Sequence, residues 1–275
     1  MSIELIKSCL NHIENLPKLA DPLESSKRLA SYTAVDTHFL PLLSKQRDLV
    51  VGVGSGTTVV YVAERLGEIK AKINRSLSQY EIICIPTGFQ SKQLILDNNL
   101  RLGNIEEYPK IDIVFDGADE SDPKLNLIKG GGACLFQEKL ISRSASVFIV
   151  VADYRKQVEN IGSKWSVPIE VVPSSYVYVT NQLKIKFGHI LQKCSVRQGG
   201  KAKAGPVVTD NGNFIIDVNF GKITKPTELH EELIKIVGIV ETGIFPNVNC
   251  EAAYFGHSDG TVVSIKIEPT AVFSQ

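Results

Sequence analysis

Apolar positions along the chain keep two rhythms, and their alternation outlines an α/β protein. Before residue 48 the spacing is helical. Ala30, Ala34, Val35 and Phe39-Leu40 recur at three-and-four intervals after Ser25-Ser26-Lys27, a start that could cap a helix, so residues 1–47 are expected to be helical. Leu49-Val50-Val51 has the composition of a short buried strand and runs into Gly52-Val53-Gly54-Ser55-Gly56-Thr57-Thr58. Val59, Val60, Val62, Ala63 and Leu66 then form a helical stripe that Gly67 should close. A polar spacer follows, then a strand over 81–85 that ends in Pro86-Thr87-Gly88, a helix over 91–98, and strands over 111–115 and 148–153. Strands that alternate with helices in this way predict a parallel, doubly wound sheet of Rossmann-like form.

The pattern changes after about residue 160. Strand over 167–172, helix over 174–187, strand over 189–197, two short runs flanking the turn Asp210-Asn211-Gly212-Asn213, helix over 227–236 and strand over 237–245 give the order β-α-β-β-α-β. That order predicts a second, smaller α+β domain of ferredoxin-like topology. Gly199-Gly200 through Gly205-Pro206 reads as a mobile loop. Residues 252–267 read as a last hairpin turning at Ser258-Asp259-Gly260, which could return to the first sheet. The expected domains are therefore 1–160 plus 243–275, and 161–242, with no internal repeat.

The densest chemistry lies between 111 and 139. The strand that begins at Ile111 ends in Asp116-Gly117-Ala118-Asp119-Glu120; Lys129 and Gly130-Gly131-Gly132 follow, and helical spacing resumes with Glu138 on it. Ligands in open α/β sheets sit outside the carboxyl ends of strands, so carboxylates, an ammonium and bare backbone amides are expected around one pocket. Asp116 and Asp119 could each be only turn formers. Three carboxylates within five residues repel one another, however, and such a cost usually marks a site. Lys129, directly before the glycines, suits an electrostatic role toward a developing oxyanion, although a solvated lysine is the plain alternative. Glu138 shares a helix face with Cys134, Leu135 and Ile141, and partial burial there would suit a carboxylate that takes and returns a proton; the plain alternative is a surface Glu paired with Lys139.

The Gly52 loop follows a strand and precedes a helix, where Ser55, Gly56, Thr57 and Thr58 could hold a phosphate with hydroxyls and amides. A tight turn without a ligand fits the same residues. Thr57 stands where a dinucleotide fingerprint needs its third glycine, no Lys follows as in a Walker loop, and Pro86-Thr87 replaces the ribose-binding acid. Lys27 and Lys156 read individually as solvated lysines, Trp165 as a core or interface residue and not a ligand platform, and the five histidines as structural.

Composition removes several classes. The 275 residues carry 30 Lys+Arg and 30 Asp+Glu, so no electrostatic footprint for nucleic acid or an anionic membrane is visible. No apolar run reaches the length of a membrane span, and an acid near the N-terminus opposes a signal peptide; a cytoplasmic location is expected. Five scattered cysteines suit a reducing compartment, and no His or Cys spacing suggests a metal.

The runs DGADE, IKGGGA with Glu138 six residues past its last glycine, VGVGSGTT and VVADYRKQV, with the later GIFPN and DGTV, closely resemble ribose-5-phosphate isomerase of type A over nearly the whole chain. That resemblance implies interconversion of ribose 5-phosphate and ribulose 5-phosphate in the pentose phosphate pathway, no metal or organic cofactor, and a homodimer or homotetramer. It implies Glu138 as base, Asp116, Asp119 and Lys129 as polar partners, the glycine turn Gly130-Gly131-Gly132 at the substrate, Ser55 to Thr58 as the sugar-phosphate loop, and Lys27 and Lys156 as residues reaching the phosphate. Lys27 is the loosest match, and the polar stretch 69–80 departs from the family as a surface insertion. The rivals are a non-catalytic sugar-phosphate sensor, which would need a basic DNA-binding helix pair, acyl or CoA transfer through a glutamate, and nucleotide-dependent methyl or hydride transfer.

Overall fold

The computed structural model describes residues 13, 16–45, 47–74, 80–201 and 203–267. Its contacts divide the chain into two units, one of Met1–Gly117, Ile141–Tyr154 and Asn249–Gln275, the other of Ala118–Leu140 and Arg155–Val248.

The first unit is built on a seven-stranded sheet. Its strands are β1 (Leu49–Val53), β2 (Ile82–Pro86), β3 (Arg101–Leu102), β4 (Ile111–Asp116), β7 (Ala145–Asp153), β13 (Cys250–Gly256) and β14 (Val262–Lys266), in the order β14-β13-β7-β4-β1-β2-β3. Every neighbouring pair is parallel except β13 and β14. All five residues of β1 are buried, as expected of a parallel strand covered on both faces. Strand order reverses between β1 and β4, so the turns after these two strands flank the switch point where such sheets bind ligands. The last hairpin does return to this sheet, and the fold is a Rossmann-like, mostly parallel α/β arrangement.

Helix α1 (Pro22–His38) starts earlier than Ser25, because Asp21 accepts a hydrogen bond from Leu23 N at 2.8 Å and Pro22 takes the first helical position. A 3₁₀ segment, Leu40–Lys45, follows, so the single helix expected over 1–47 is two pieces. The expectation for residues 1–12, 14 and 15 lies outside the described residues. Helix α2 (Val59–Asn74) runs through Gly67 instead of ending there. A side chain at Gly67 would come within 2.9 Å of the Asn98 carbonyl, just beyond α3 (Phe89–Asp97), so the glycine serves close packing and not a helix stop. Part of the 69–80 insertion, residues 75–79, is outside the described residues; 69–74 continue α2.

In the second unit, β8 (Val167–Val171), β9 (Lys193–Val196), β10 (Phe214–Asn219) and β11 (Ile239–Thr242) form an antiparallel sheet in the order β11-β8-β10-β9. With α5 (Tyr176–Phe187) after β8 and α6 (Pro226–Ile234) after β10, this is the ferredoxin-like topology. Its core gathers Val167, Ile169, Val171, Val179, Leu183, Ile216, Val218 and Leu233. A second small sheet joins β5 (Glu120–Ser121), β6 (Leu127–Ile128) and β12 (Ile244–Phe245), and α4 (Leu135–Ser144) begins in this unit.

Three expectations change here. The strand expected over 237–245 breaks at Gly243, whose N donates to Pro168 O and whose O accepts from Lys129 N; a side chain there would collide with both neighbours. The run Val207–Thr209 makes only one bridge, Val208 to Phe214, because Thr209 and Asn213 both donate to the buried Glu170 carboxylate, while Phe214–Val218 pairs with β8. Residues 118–140, 155–160 and 243–248 cluster with this unit and not with the first: β6 pairs with β12, and Glu120 accepts from the amides of Gly162, Lys164 and Trp165. The four described cysteines are free, and burial pushes the Cys84 thiol up to about 12. Among the described residues no helix is long and apolar enough to cross a membrane.

Candidate active site

Two glycine turns carry the candidate groups, one in each unit. In the first unit the chain leaves β1 with Gly54 N donating to Phe115 O at 2.8 Å, and any side chain at Gly54 would overlap the Asp116 carboxylate. Asp116 is 1% exposed, and its Oδ1 accepts from Ser55 N at 3.1 Å and Gly117 N at 2.7 Å. The ends of β1 and β4 are thus tied by one carboxylate. Gly56 adopts φ +101°, which glycine tolerates without strain, and donates its N–H to Gln90 Oε1 at 2.9 Å.

Lys27 reaches this turn from α1. Only 4% exposed, it donates to Thr57 Oγ1 at 3.0 Å and to Glu24 Oε1 at 2.6 Å. Ser31, one helical turn on, donates to Thr58 O at 2.9 Å. Helix α2 starts at Val59, so Ser55, Gly56, Thr57 and Thr58 occupy the approach to a helix N-terminus, with a buried ammonium on the hydroxyl of one of them. The loosest sequence match is therefore at the turn. Gln90 is the residue the sequence did not single out; its position at the start of α3, after Pro86-Thr87-Gly88, gave no motif to read.

In the second unit Lys129 leaves β6, the chain turns at Gly130 (φ +100°) and Ala133 (φ +61°), and α4 begins at Leu135. Glu138 and Lys129 are buried, 5% and 2% exposed, with Lys129 Nζ 3.0 Å from Glu138 Oε1. Glu138 is thus neither a surface residue nor the partner of Lys139. Lys139 turns the other way, donating to Glu241 Oε1 at 2.7 Å, Thr242 O at 2.6 Å and Ile244 O at 2.8 Å. The Phe245 ring lies 5.7 Å from Lys129 Nζ and 4.7 Å from Lys139 Nζ, giving both ammonium groups an aromatic face.

The carboxylates of 116–120 each hold different backbone amides. Asp116 holds amides of the first unit, Asp119 Oδ2 accepts from Gly131 N at 2.7 Å, and Glu120 holds the amides of 162–165. Glu120 is structural. Lys156 lies with its ammonium 5.1 Å from the Trp165 ring, and Trp165, expected in a core or interface, is 40% exposed. The structure thus brings Lys27, Ser55, Gly56, Thr57, Thr58 and Asp116 together in one unit, and Asp119, Lys129, Gly130, Gly131, Gly132 and Glu138 in the other, with Lys156 set by Trp165. Arg197, whose guanidinium donates to the carbonyls of Gly130 and Gly131, is a further residue the sequence reading missed.

Chemically, a carboxylate and an ammonium held together out of water form a strongly polarised pair in which each charge offsets part of the other's desolvation. A turn of bare amides and small hydroxyls at a helix start suits a tetrahedral anion. Among the described residues no three His, Cys, Asp or Glu side chains converge as they would around a metal ion.

A sequence model of ribose 5-phosphate isomerase A (phosphoriboisomerase A) matches residues 83–260. The ribose-5-phosphate isomerase of Kluyveromyces lactis is 59% identical over 265 residues, covering 94% of this chain and 92% of its own, and that of Saccharomyces cerevisiae is 56% identical over 255, covering 91% and 95%. Among solved structures, a D-ribose-5-phosphate isomerase in complex with phospho-erythronic acid superposes with a TM-score of 0.76 at 36% identity, covering 89% of this chain and 99% of its own. The ribose 5-phosphate isomerase of Plasmodium falciparum superposes with a TM-score of 0.76 at 32% identity and the same coverage. The chain belongs to the ribose 5-phosphate isomerase A family.

Proposed function

We propose that this chain interconverts D-ribose 5-phosphate and D-ribulose 5-phosphate through an enediolate, with Glu138 as the base. The observation that carries the reading is the buried Glu138–Lys129 pair, 3.0 Å apart, on the helix that follows the triple-glycine turn. Glu138 takes the proton from C2 of the open-chain aldose, and the electron pair moves onto the C1 carbonyl oxygen. The C2 hydroxyl gives up its proton, the C1 oxygen gains one, and Glu138 returns its proton to C1. Atoms and electrons balance within the substrate, so this route calls for no metal, cofactor or co-reactant.

Lys129 and the amides of the Gly130–Gly132 turn not taken by Asp119 stabilise the oxygen on which charge develops. Asp119 and Asp116 handle the hydroxyl protons, including those of ring opening. Of the two, Asp119 is the better shuttle, because Asp116 already accepts two backbone amides and is the more deeply buried. Ser55, Gly56, Thr57 and Thr58, with Lys27 and Lys156, take the phosphate, whose binding energy holds the reacting carbons in place. The phospho-erythronic acid of the similar structure is a phosphorylated sugar acid, the ligand class this turn would suit. The same reading places the chain in the cytoplasm, as a homodimer or homotetramer, in the non-oxidative branch of the pentose phosphate pathway.

The test is incubation with ribose 5-phosphate in heavy water. Ketose should form with solvent deuterium entering the sugar carbon that receives the proton. A folded chain that makes no ketose, or a covalent sugar adduct trapped on Glu138, would overturn the reading.

A further inference from the structure

One guanidinium holds the glycine turn from behind. Arg197, just past β9, donates Nε and Nη2 to the two carboxylate oxygens of Asp217 on β10, at 2.8 and 2.6 Å. Its Nη1 donates to Gly130 O at 2.9 Å and to Gly131 O at 3.0 Å. Two consecutive carbonyls thus point to the same side of the chain, toward one guanidinium that offsets their crowded negative ends. The φ of +100° at Gly130 makes that geometry reachable.

In a trans peptide the N–H points opposite to the carbonyl, and no peptide here is cis. Gly130 O and Gly131 N belong to one peptide unit. Arg197 therefore grips its carbonyl on one side while Asp119 Oδ2 accepts its N–H at 2.7 Å on the other. The next peptide obeys the same rule, so its N–H, on Gly132, also faces away from the guanidinium. Two successive N–H groups on one side form an anion-binding nest. One holds Asp119; the other is on an exposed residue.

We infer that Arg197, held by Asp217, is a positioning residue that fixes the two peptides of Gly130–Gly132 so that their amides set Asp119 and the developing oxyanion of the isomerisation. The inference rests on the function proposed above. A lysine cannot copy the clamp, because a single ammonium lacks the planar fork that meets a carboxylate and two carbonyls at once.

The experiment compares steady-state kinetics of ribose 5-phosphate isomerisation for Arg197→Lys, Arg197→Ala, Asp119→Asn and the Arg197→Lys/Asp119→Asn double variant, each shown to be folded by circular dichroism. Misplacing a preorganised group by about 1 Å costs on the order of 100-fold, so Arg197→Ala should lose about 100-fold in kcat and Arg197→Lys about tenfold, with KM within about threefold of wild type. Because Arg197 acts through the turn that holds Asp119, the double variant should fall short of the product of the single losses, whereas a merely structural effect would multiply. Wild-type kcat in folded Arg197→Lys, or losses that multiply, would overturn the inference while wild-type turnover leaves the functional reading standing. A folded wild-type chain without turnover would remove both.

Discussion

Glu138 and Lys139 are adjacent in sequence and opposite in environment. Successive helical residues point about 100° apart, so one side chain meets Lys129 and the other meets Glu241 with two backbone carbonyls. The plain alternative for Glu138, a surface pairing with its neighbour, fails for that geometric reason. Glu138→Gln keeps the shape and a hydrogen-bond acceptor but removes the base. General acid–base catalysis contributes typically 10²–10⁴-fold, so kcat should fall by about that factor, with substrate affinity nearly unchanged. The same change removes a carboxylate charge 3.0 Å from the buried Lys129 ammonium, and thermal unfolding should also come earlier. Steady-state kinetics with a melting curve on one preparation checks both; wild-type turnover would exclude Glu138 as the base.

Helices α1 and α2 are joined by a buried cation. Arg65, 1% exposed, donates Nε and Nη2 to Asp36 at 2.9 and 2.6 Å and Nη1 to Glu68 at 2.7 Å, and its guanidinium lies 4.8 Å from the Tyr32 ring centroid. Removing one partner of a buried ion pair leaves an uncompensated charge and costs about 3–5 kcal/mol. Arg65→Ala should therefore lower the unfolding free energy measured in urea by an amount toward the low end of that range, discounted for the partial exposure of Asp36 and Glu68, and shift the midpoint down; an unchanged midpoint would deny Arg65 its linking role. The same element scale explains what was legible. Strands β1, β4 and β7 are nearly continuous apolar runs because both faces are covered, so composition alone located them. Strands β3, β5 and β6 are two residues long and carry no period to detect. The break at Gly243 and the passage of α2 through Gly67 depend on backbone carbonyls far away in sequence, Lys129 O and Asn98 O, which no local pattern encodes. The site followed the same division: the motif residues could be read, whereas Gln90 and Arg197 enter through contacts 34 to 67 positions away in the chain.

At the scale of the whole molecule, 30 basic and 30 acidic side chains balance, so pH dependence is set by individual groups and not by net charge. His38, in the last turn of α1, has Nε2 3.0 Å from Tyr254 Oη; burial, and then the nearby Lys266 charge, hold its pKa below the ordinary 6.5. The unfolded chain thus takes up a proton at a pH where the folded chain does not. The stability His38 contributes is complete above pH 6.5, declines as pH falls from there toward its folded pKa, and is level below that. Asp112 titrates later. Burial pushes its pKa up, but the Arg47 guanidinium, the Val50 amide and Lys45 together outweigh burial and hold it below the ordinary 3.8. Its contribution is present above that value and is lost as pH falls through the folded pKa. Melting temperature against pH should therefore show two descents, one starting just below pH 6.5 and one below pH 3.8, with His38→Gln flattening the first and Asp112→Asn the second. If His38→Gln retains the upper descent, another group titrates there; if neither substitution alters its own descent, acid unfolding of this chain begins away from the α1–β13 and β1–β4 contacts that these two side chains report on.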